Sequence, residues 1–242
     1  MEKGLMHVHR FSMYGEGKNP LLRALRYLFT EIAYLHALLW KDYDVIFLDS
    51  TPPIQGLKLP IVRLFKKKPV VHNAQDIFPD SLVGAGLAKK SGLLWKIGCW
   101  ASNITYKYSD KIIVISEDFK KTLIEKGVPE EKIVVIYNWV DEKLVIPIEK
   151  HDNSLYREFG LDRDKFRVVY AGNLGNAQNI EVIIRAAKRL KEHEKIEFVI
   201  FGSGGLENDI KKRIEAEGLT NVKMLPLQPV HKVSCVYSLG DL

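Results

Sequence analysis

Cysteine is scarce in this chain, and so is negative charge in its first part. The two cysteines among 242 residues, Cys99 and Cys235, lie far apart and in no metal-ligand or CxxC spacing. That leaves no disulfide framework or zinc site to read and fits reduced thiols in a reducing compartment. Long apolar runs are missing too. The opening MEKGLMHVHR lacks the apolar centre of a secretory signal, and the most hydrophobic early stretch, LLRALRYLFTEIAYLHALLW, is interrupted by Arg23, Arg26, Glu31 and His36. It is too polar to span a bilayer. The expected location is therefore cytoplasmic, with peripheral contact at the inner face of the cell membrane as a further expectation. Low-complexity tracts and short repeats are also absent, and 46% hydrophobic with 27% charged residues is ordinary globular composition.

The charge balance is uneven. Residues 1–140 hold 20 Lys and Arg against 14 Asp and Glu, whereas 141–242 hold 16 of each, so the formal net charge of +6 belongs to the first part. A basic face attracts phosphates of nucleic acid, anionic lipid or a phosphorylated small molecule, or it is merely a soluble surface. Nucleic acid fits poorly. The aromatic residues are not spaced as stacking platforms, and the basic ones fall on different predicted helices.

Apolar positions Leu25, Leu28, Phe29, Ile32 and Leu35 have helical spacing and predict an amphipathic helix packed on a core. After it, short apolar runs alternate with helical patterns. DVIFLDS, PVVHNA, KIIVIS and KIVVIYN read as buried parallel strands, with helices over 54–66, 91–108 and 117–126 between them. This alternation predicts a doubly wound α/β domain, with ligands beyond the carboxyl ends of its strands. Residues 141–165 are charged and irregular and read as a linker or helical connection. Alternation then resumes with FRVVYAG, a helix over 178–192, IEFVIFGSG, a helix over 205–217 and NVKMLP. Two Rossmann-like domains follow, residues 1–144 and 145–242, facing a cleft.

The strand ends mark the candidate sites. In the first half they are DSTPP, NAQDIFPDS, ISED and YNWVD, which bring Ser50, Thr51, Gln75, Asp76, Ser116 and Asn138 toward the ligand side. Asp76, just past a strand, could accept a proton or hydrogen bond from a sugar hydroxyl, or only stabilise a turn before Pro79. His72, inside the strand, is expected to point into the packing with a satisfied ring nitrogen. In the second half Gly202, Ser203, Gly204 and Gly205 join a strand to a helix, and Gly172, Asn173 and Gly175 make a second such turn. Glycines there let a ligand approach bare backbone N–H groups, although a plain tight turn is the alternative. In SGLLWKIGCWASNITYKY, Leu93, Ile97, Trp100 and Ile104 form a stripe expected in the core. The remaining Trp95, Lys96, Tyr106 and Lys107, with Lys89 and Lys90, give residues 87–108 the character of a contact with an anionic membrane surface.

KIIVISEDFKKTLIEKGVPEEKIVVIYNWVDE, VVYAGNLGNAQNIEVIIRAAKRL and IEFVIFGSGGLENDIKKRIEAEGLTNVKMLPLQP together resemble glycosyltransferase family 4 of the GT-B fold. QDIFPDSL further resembles the branch containing L-fucosamine transferases of bacterial surface polysaccharide synthesis. The resemblance implies transfer of a sugar from a nucleotide diphosphate donor, such as a UDP-sugar, to a lipid-linked saccharide acceptor of a capsule or O-antigen. It implies retained anomeric configuration and no metal or other cofactor. Gly172, Asn173 and Gly175 would then lie by the diphosphate or sugar, Gly202, Ser203 and Gly204 beside the nucleotide, and the backbone of Leu225 at the base. Ser50, Thr51, Gln75, Ser116 and Asn138 would line the acceptor side, with Asp76 as the catalytic group. The chain departs from the family pattern in lacking the opening βαβ unit and the closing sugar-gripping motif, and Asn176 stands where the branch often has a lysine or arginine. An internal fragment, or a non-catalytic subunit that binds a nucleotide sugar or a partner, is the alternative reading.

Overall fold

A computed structural model describes residues 20–84, 86 and 89–242, so HVHRF and residues 87 and 88 of the expected membrane contact lie outside the described residues. The chain divides at Asn138/Trp139 into two compact units. In the first, helix α1 (Pro20–Trp40) precedes strand β1 (Ile46–Asp49), a 3-10 turn (Gln55–Lys58) and α2 (Leu59–Lys66). Then come β2 (Val70–Ala74), α3 (Asp80–Gly84), α4 (Leu93–Tyr108), β3 (Lys111–Val114), α5 (Glu117–Glu125) and β4 (Ile133–Val135). All four strands pair in parallel in the order β1-β2-β3-β4. Sequential parallel strands with right-handed crossovers carry their helices on one face. Accordingly Ile46, Leu48, Val70, Ala74, Ile112, Val114 and Ile133 are buried, while Phe47 and Val134, on alternate positions, are exposed. The strands expected to be apolar and covered on both faces are thus covered on one among the described residues, and no reversal of strand order occurs in this sheet.

The second unit contains α6 (Leu155–Glu158), β5 (Phe166–Asn173), α7 (Glu181–Arg189), β6 (Ile196–Ser203), α8 (Glu207–Ala216), β7 (Val222–Leu225) and α9 (Val233–Tyr237). Its sheet is parallel in the order β5-β6-β7. Here both faces are covered. Phe198 and Ile200 pack with Ile184, Ala187 and Ile210 of α7 and α8, and Val199 and Phe201 with Leu155, Tyr156, Val236 and Leu239 on the other side. The winding reverses after β7, where the chain returns to the free edge of β5: Leu242 N–H donates to the Arg167 carbonyl and Val169 N–H to the Leu242 carbonyl.

Two expectations are corrected, and an alternative left open is decided. The stripe of α1 faces outward: Leu25, Leu28, Phe29 and Ile32 are exposed, and only Leu35 of that set packs on the core, beside Leu38. Its inner face is partly polar, because Glu31 pairs with the buried Lys58 ammonium at 2.5 Å. The stripe of α4 is reversed in the same way: Leu93, Ile97 and Trp100 are exposed, and Gly98, Ala101, Ser102, Thr105 and Tyr106 face the core. Small residues win this face because the 3-10 turn and the Phe78–Pro79 segment pass very close. A Cβ at Gly56 would lie 1.8 Å from Thr105 Oγ1, and one at Gly98 2.7 Å from Pro79 Cβ. For residues 141–165, read as a linker or a helical connection, the helical alternative holds in part, since α6 lies there, and the stretch before it is tied to the C-terminal residues. Ile146 and Ile148 N–H groups donate to the Ser234 and Ser238 hydroxyls at 3.0 and 2.9 Å, and Asn153 Nδ2 donates to the Cys235 carbonyl at 2.8 Å.

One ion pair is fully buried. Arg167, on β5, donates through Nε and Nη2 to Glu197 Oε2 on β6 at 2.9 and 2.7 Å, and Lys223 on β7 holds Oε1 at 2.9 Å. Desolvation pushes the Glu197 carboxyl up, but hydrogen bonds and charge from Lys223 and Arg167 outweigh it and hold it below its ordinary value. A depressed carboxyl stabilises the fold above its unfolded pKa, and that stability is lost as pH falls through the folded value. Glu197→Gln leaves the Arg167 charge uncompensated and is expected to cost about 3–5 kcal/mol in urea unfolding at neutral pH, a loss that shrinks in acid. Gly56→Ala is expected to cost about 1–3 kcal/mol by overpacking against Thr105; unchanged urea midpoints would reject either account.

Candidate functional site

The polar strand ends fall into two groups, one in each unit. In the first, β1 and β2 run in register from Ile46↔Val70 to Asp49↔Asn73, so both strands end side by side. A pocket opens there, lined by Asp49, Ser50, Gln55, His72, Asp76, Phe78, Ser102, Thr105 and Tyr106, with Leu48, Pro52, Pro53 and Gly56. The 3-10 turn and the inner face of α4 supply its walls. Of the acceptor-side residues, the structure brings Ser50 together with Asp76. Asp76 is exposed, one residue beyond Gln75, whose Nε2 donates to Asn73 Oδ1 at 2.9 Å. Thr51, Gln75, Ser116 and Asn138 do not line the pocket. Ser116 has a structural task instead: its Oγ caps α5 by accepting the Phe119 N–H at 3.2 Å. Asn138 is exposed beyond β4.

His72 is 6% exposed and tied through Nδ1 to the Leu48 carbonyl at 3.2 Å. A carbonyl only accepts, so Nδ1 carries the proton and Nε2 is left with a bare lone pair. The expectation that a ring nitrogen is satisfied in the packing holds for Nδ1, yet the ring also lines the pocket. Burial lowers its pKa, against weaker upward pulls from the Leu48 hydrogen bond and the Asp49 charge. Tyr106, its ring centroid 6.1 Å away, is 7% exposed and belongs to this wall rather than to the outer face expected for it. Burial pushes its phenol up to about 12, with the Ser102 hydrogen bond opposing and the charges of Asp80, Cys99 and Asp76 adding. The pocket therefore offers a neutral phenol, a neutral imidazole and exposed carboxylate at Asp76. The part played by Asp49, Gln55 and Tyr106 was not legible in the sequence, since each is a common residue at a strand end, turn or helix.

In the second unit, Gly172↔Gly202 and Asn173↔Ser203 are the last paired positions of β5 and β6. Their loops are laced by backbone: Leu174 N–H donates to the Ser203 carbonyl and Leu206 N–H to the Leu174 carbonyl, both at 2.9 Å. The glycines serve that approach. A Cβ at Gly202 would lie 2.3 Å from the Gly172 carbonyl oxygen, and one at Gly204 2.6 Å from that of Leu174. Tyr170 Oη donates to the Asn173 carbonyl at 2.8 Å, and the Asn173 and Ser203 side chains stay exposed. A Cβ at Gly175 would lie 3.0 Å from Asn173 Nδ2. Leu225 ends β7 opposite Phe201 and packs on the apolar cluster with α9, leaving its backbone for any contact at that edge. The first turn of α8 carries Glu207 and Asp209. Two acids there oppose an anion at that helix end. Among the described residues no cluster of His, Cys, Asp and Glu could hold a metal ion.

Residues 6–144 match the family described as Glycosyltransferase Family 4, and residues 153–242 match Glycosyl transferases group 1. The chain belongs to glycosyltransferase family 4. WcaI of Escherichia coli K12, assigned to colanic acid biosynthesis as a glycosyl transferase, is 29% identical over 77% of this chain and 46% of its own length. WbjE of Pseudomonas aeruginosa, described as a glycosyltransferase, is 30% identical over 70% of this chain and 42% of its own. The family 4 chain thus spans about half the length of these curated relatives. Anabaena HepE in complex with UDP-glucose superposes with a TM-score of 0.62 at 19% identity, over 83% of this chain and 52% of that one. Sucrose-phosphate synthase of Thermosynechococcus elongatus gives 0.68 at 14%, over 88% and 52%. Likeness at such identity bears on the fold, which is GT-B.

The family 4 pocket makes one prediction about its own chemistry. Nitrogen-resolved NMR of the histidines is expected to show His72 as the Nδ1–H tautomer, titrating below the ordinary 6.5 of a free imidazole. Its lowered pKa makes its neutral form part of the folded state, so the stability it contributes is lost as pH falls. A titration at or above the ordinary value would reject this picture.

Proposed function

We propose that this protein transfers a sugar from a nucleotide diphosphate donor, a UDP-sugar, to a lipid-linked saccharide acceptor in the synthesis of a bacterial surface polysaccharide, with retained configuration. The observation that carries the reading is the match of each unit to a glycosyltransferase family, with the polar strand ends of each unit gathered at one edge of its sheet. Support for the pathway class comes from WcaI and WbjE, and for the donor from HepE, which binds UDP-glucose. In this reading the pocket of β1 and β2 takes the acceptor end of the reaction. Asp76, exposed and at the pocket wall, accepts the hydroxyl proton or orients the hydroxyl. The loops after β5 and β6 hold the donor through backbone N–H groups and the exposed Asn173 and Ser203, with Gly172, Gly175, Gly202 and Gly204 allowing the close approach and Leu225 offering backbone. No cofactor beyond the nucleotide sugar is invoked. Contact with the inner face of the cell membrane follows from a lipid-linked acceptor, and among the described residues no helix is long and apolar enough to cross a membrane.

A second reading, a non-catalytic subunit that binds a nucleotide sugar, is favoured by the acidic first turn of α8 and by Asn176 in place of a cation, which leave the leaving diphosphate with little electrostatic support. A mass-detected transfer assay with a panel of UDP-sugars and a lipid-linked saccharide separates the two. Asp76→Asn is expected to lower the transfer rate about 100-fold or more while UDP binding stays unchanged. Binding of UDP with no donor transferred or hydrolysed would hand the case to the second reading, and absence of UDP binding would sink both.

A further inference from the structure

Helix α4 has two faces of opposite character. Its inner face, through Ser102, Thr105 and Tyr106, forms a wall of the pocket described above. Its outer face is a stripe in which Leu93 is 76%, Ile97 52% and Trp100 57% exposed, with Leu94 beside it at 55%. Positions 93, 97, 100 and 104 fall on one line of an α-helix, and Lys96 and Lys107 fall along one border of that line. A shallow depression beside the stripe is lined by Trp95, Cys99, Trp100 and Ile104 together with both lysines. Lys89 and Lys90 precede the helix. Residues 81–109 contain no Asp or Glu at all, in a chain that carries 30 of them.

Water-facing leucine, isoleucine and tryptophan at helical spacing cost solubility unless something covers them. The charge pattern identifies the cover. Protein interfaces are depleted in lysine, whereas an apolar stripe bordered by lysines, with tryptophan among the apolar residues, suits a helix lying in the headgroup layer. Lysine stems run along apolar surface while their ammonium groups reach lipid phosphates. We propose that the outer face of α4 docks on the surface of an anionic lipid bilayer, with Leu93, Ile97 and Trp100 entering the headgroup boundary and Lys89, Lys90, Lys96 and Lys107 meeting lipid phosphates. An α-helix is about 10 Å across with its side chains. One helix therefore separates the bilayer surface from the pocket on its far side, which suits an acceptor whose lipid stays in the membrane. The proposal deepens the lipid-linked acceptor reading but rests on α4 alone, so it can fail while donor binding stands.

Sedimentation of the purified chain with vesicles tests it. Capture is expected with phosphatidylcholine containing about 30% phosphatidylglycerol, little with phosphatidylcholine alone, and release as salt rises. Changing all four lysines to glutamine is expected to weaken partitioning by roughly fivefold per charge, so several hundredfold in total if all four reach the surface. The triple change Leu93→Ser, Ile97→Ser, Trp100→Ser should release the protein while circular dichroism and UDP binding stay as in the parent. Brominated lipid should quench the parent more than the Trp100→Phe variant. Equal capture by neutral vesicles, no capture by anionic ones, or capture unchanged in both variants would overturn the proposal. So would a concentration-dependent dimer in sedimentation velocity that the triple change abolishes, which would make the face a contact between copies. Loss of UDP binding in the unaltered chain would count against the donor reading and leave this result standing.

Discussion

The close approach of α4 to the turn at Gln55–Lys58 is the constraint on which the rest of the first unit depends. Gly56 has no room for a Cβ against Thr105, and Gly98 has none against Pro79 and Phe78. A helix can come this near only with small residues inward, and a helix has a fixed angular relation between its faces. Once Gly98, Ala101 and Thr105 are inside, Leu93, Ile97 and Trp100 are on the outside. The same approach makes the pocket, because it brings Ser102, Thr105 and Tyr106 over the ends of β1 and β2. Asp80 of α3 ties α4 to α5 beside this approach, accepting from Trp95 Nε1 at 3.4 Å and pairing with Lys126 at the C-terminal end of α5 at 2.5 Å.

The second unit solves a different problem. Its sheet is wrapped on both faces, so β6 is buried at six consecutive positions and its polar anchor, the Arg167–Glu197–Lys223 cluster, lies at the beginning of the strands. The glycine-rich loops lie at the other end. Burying a cation and a carboxylate together gives little net stability, but it penalises any register that would separate them. Fixing one end of three parallel strands in register fixes where their far ends stop. Gly172 and Gly202 then meet across the sheet, which is what a loop pair presenting backbone to a ligand requires.

The chemistry that each arrangement can offer follows its surroundings. The first unit holds groups that titrate or hydrogen-bond within one pocket: an exposed carboxylate, an imidazole held neutral by burial, and a phenol that stays protonated. The second presents mainly backbone and two small polar side chains. In the transfer we propose, proton movement is assigned to the first for that reason and the holding of a polar donor to the second.

The sequence by itself determined the family, the alternation of strand and helix, and the positions where strands end, because apolar runs and glycines act locally and survive in any arrangement of the elements. It placed Asp76 beyond β2 and His72 within it for the same reason. It misjudged which side of α1 and α4 is wet. Leu25, Leu28, Phe29 and Ile32, like Leu93, Ile97 and Trp100, have the spacing of a core face, and spacing alone records that a stripe exists without recording what lies opposite it. Only the tertiary structure decided that, since the outcome rests on contacts between residues far apart in the chain, such as Glu31 with Lys58 and Gly56 with Thr105. The same holds for the pocket, where Asp49, His72, Asp76 and Tyr106 come from three separate stretches of chain, and for residues 141–165, whose charged sequence gave no sign of the hydroxyls of α9 that hold them in place.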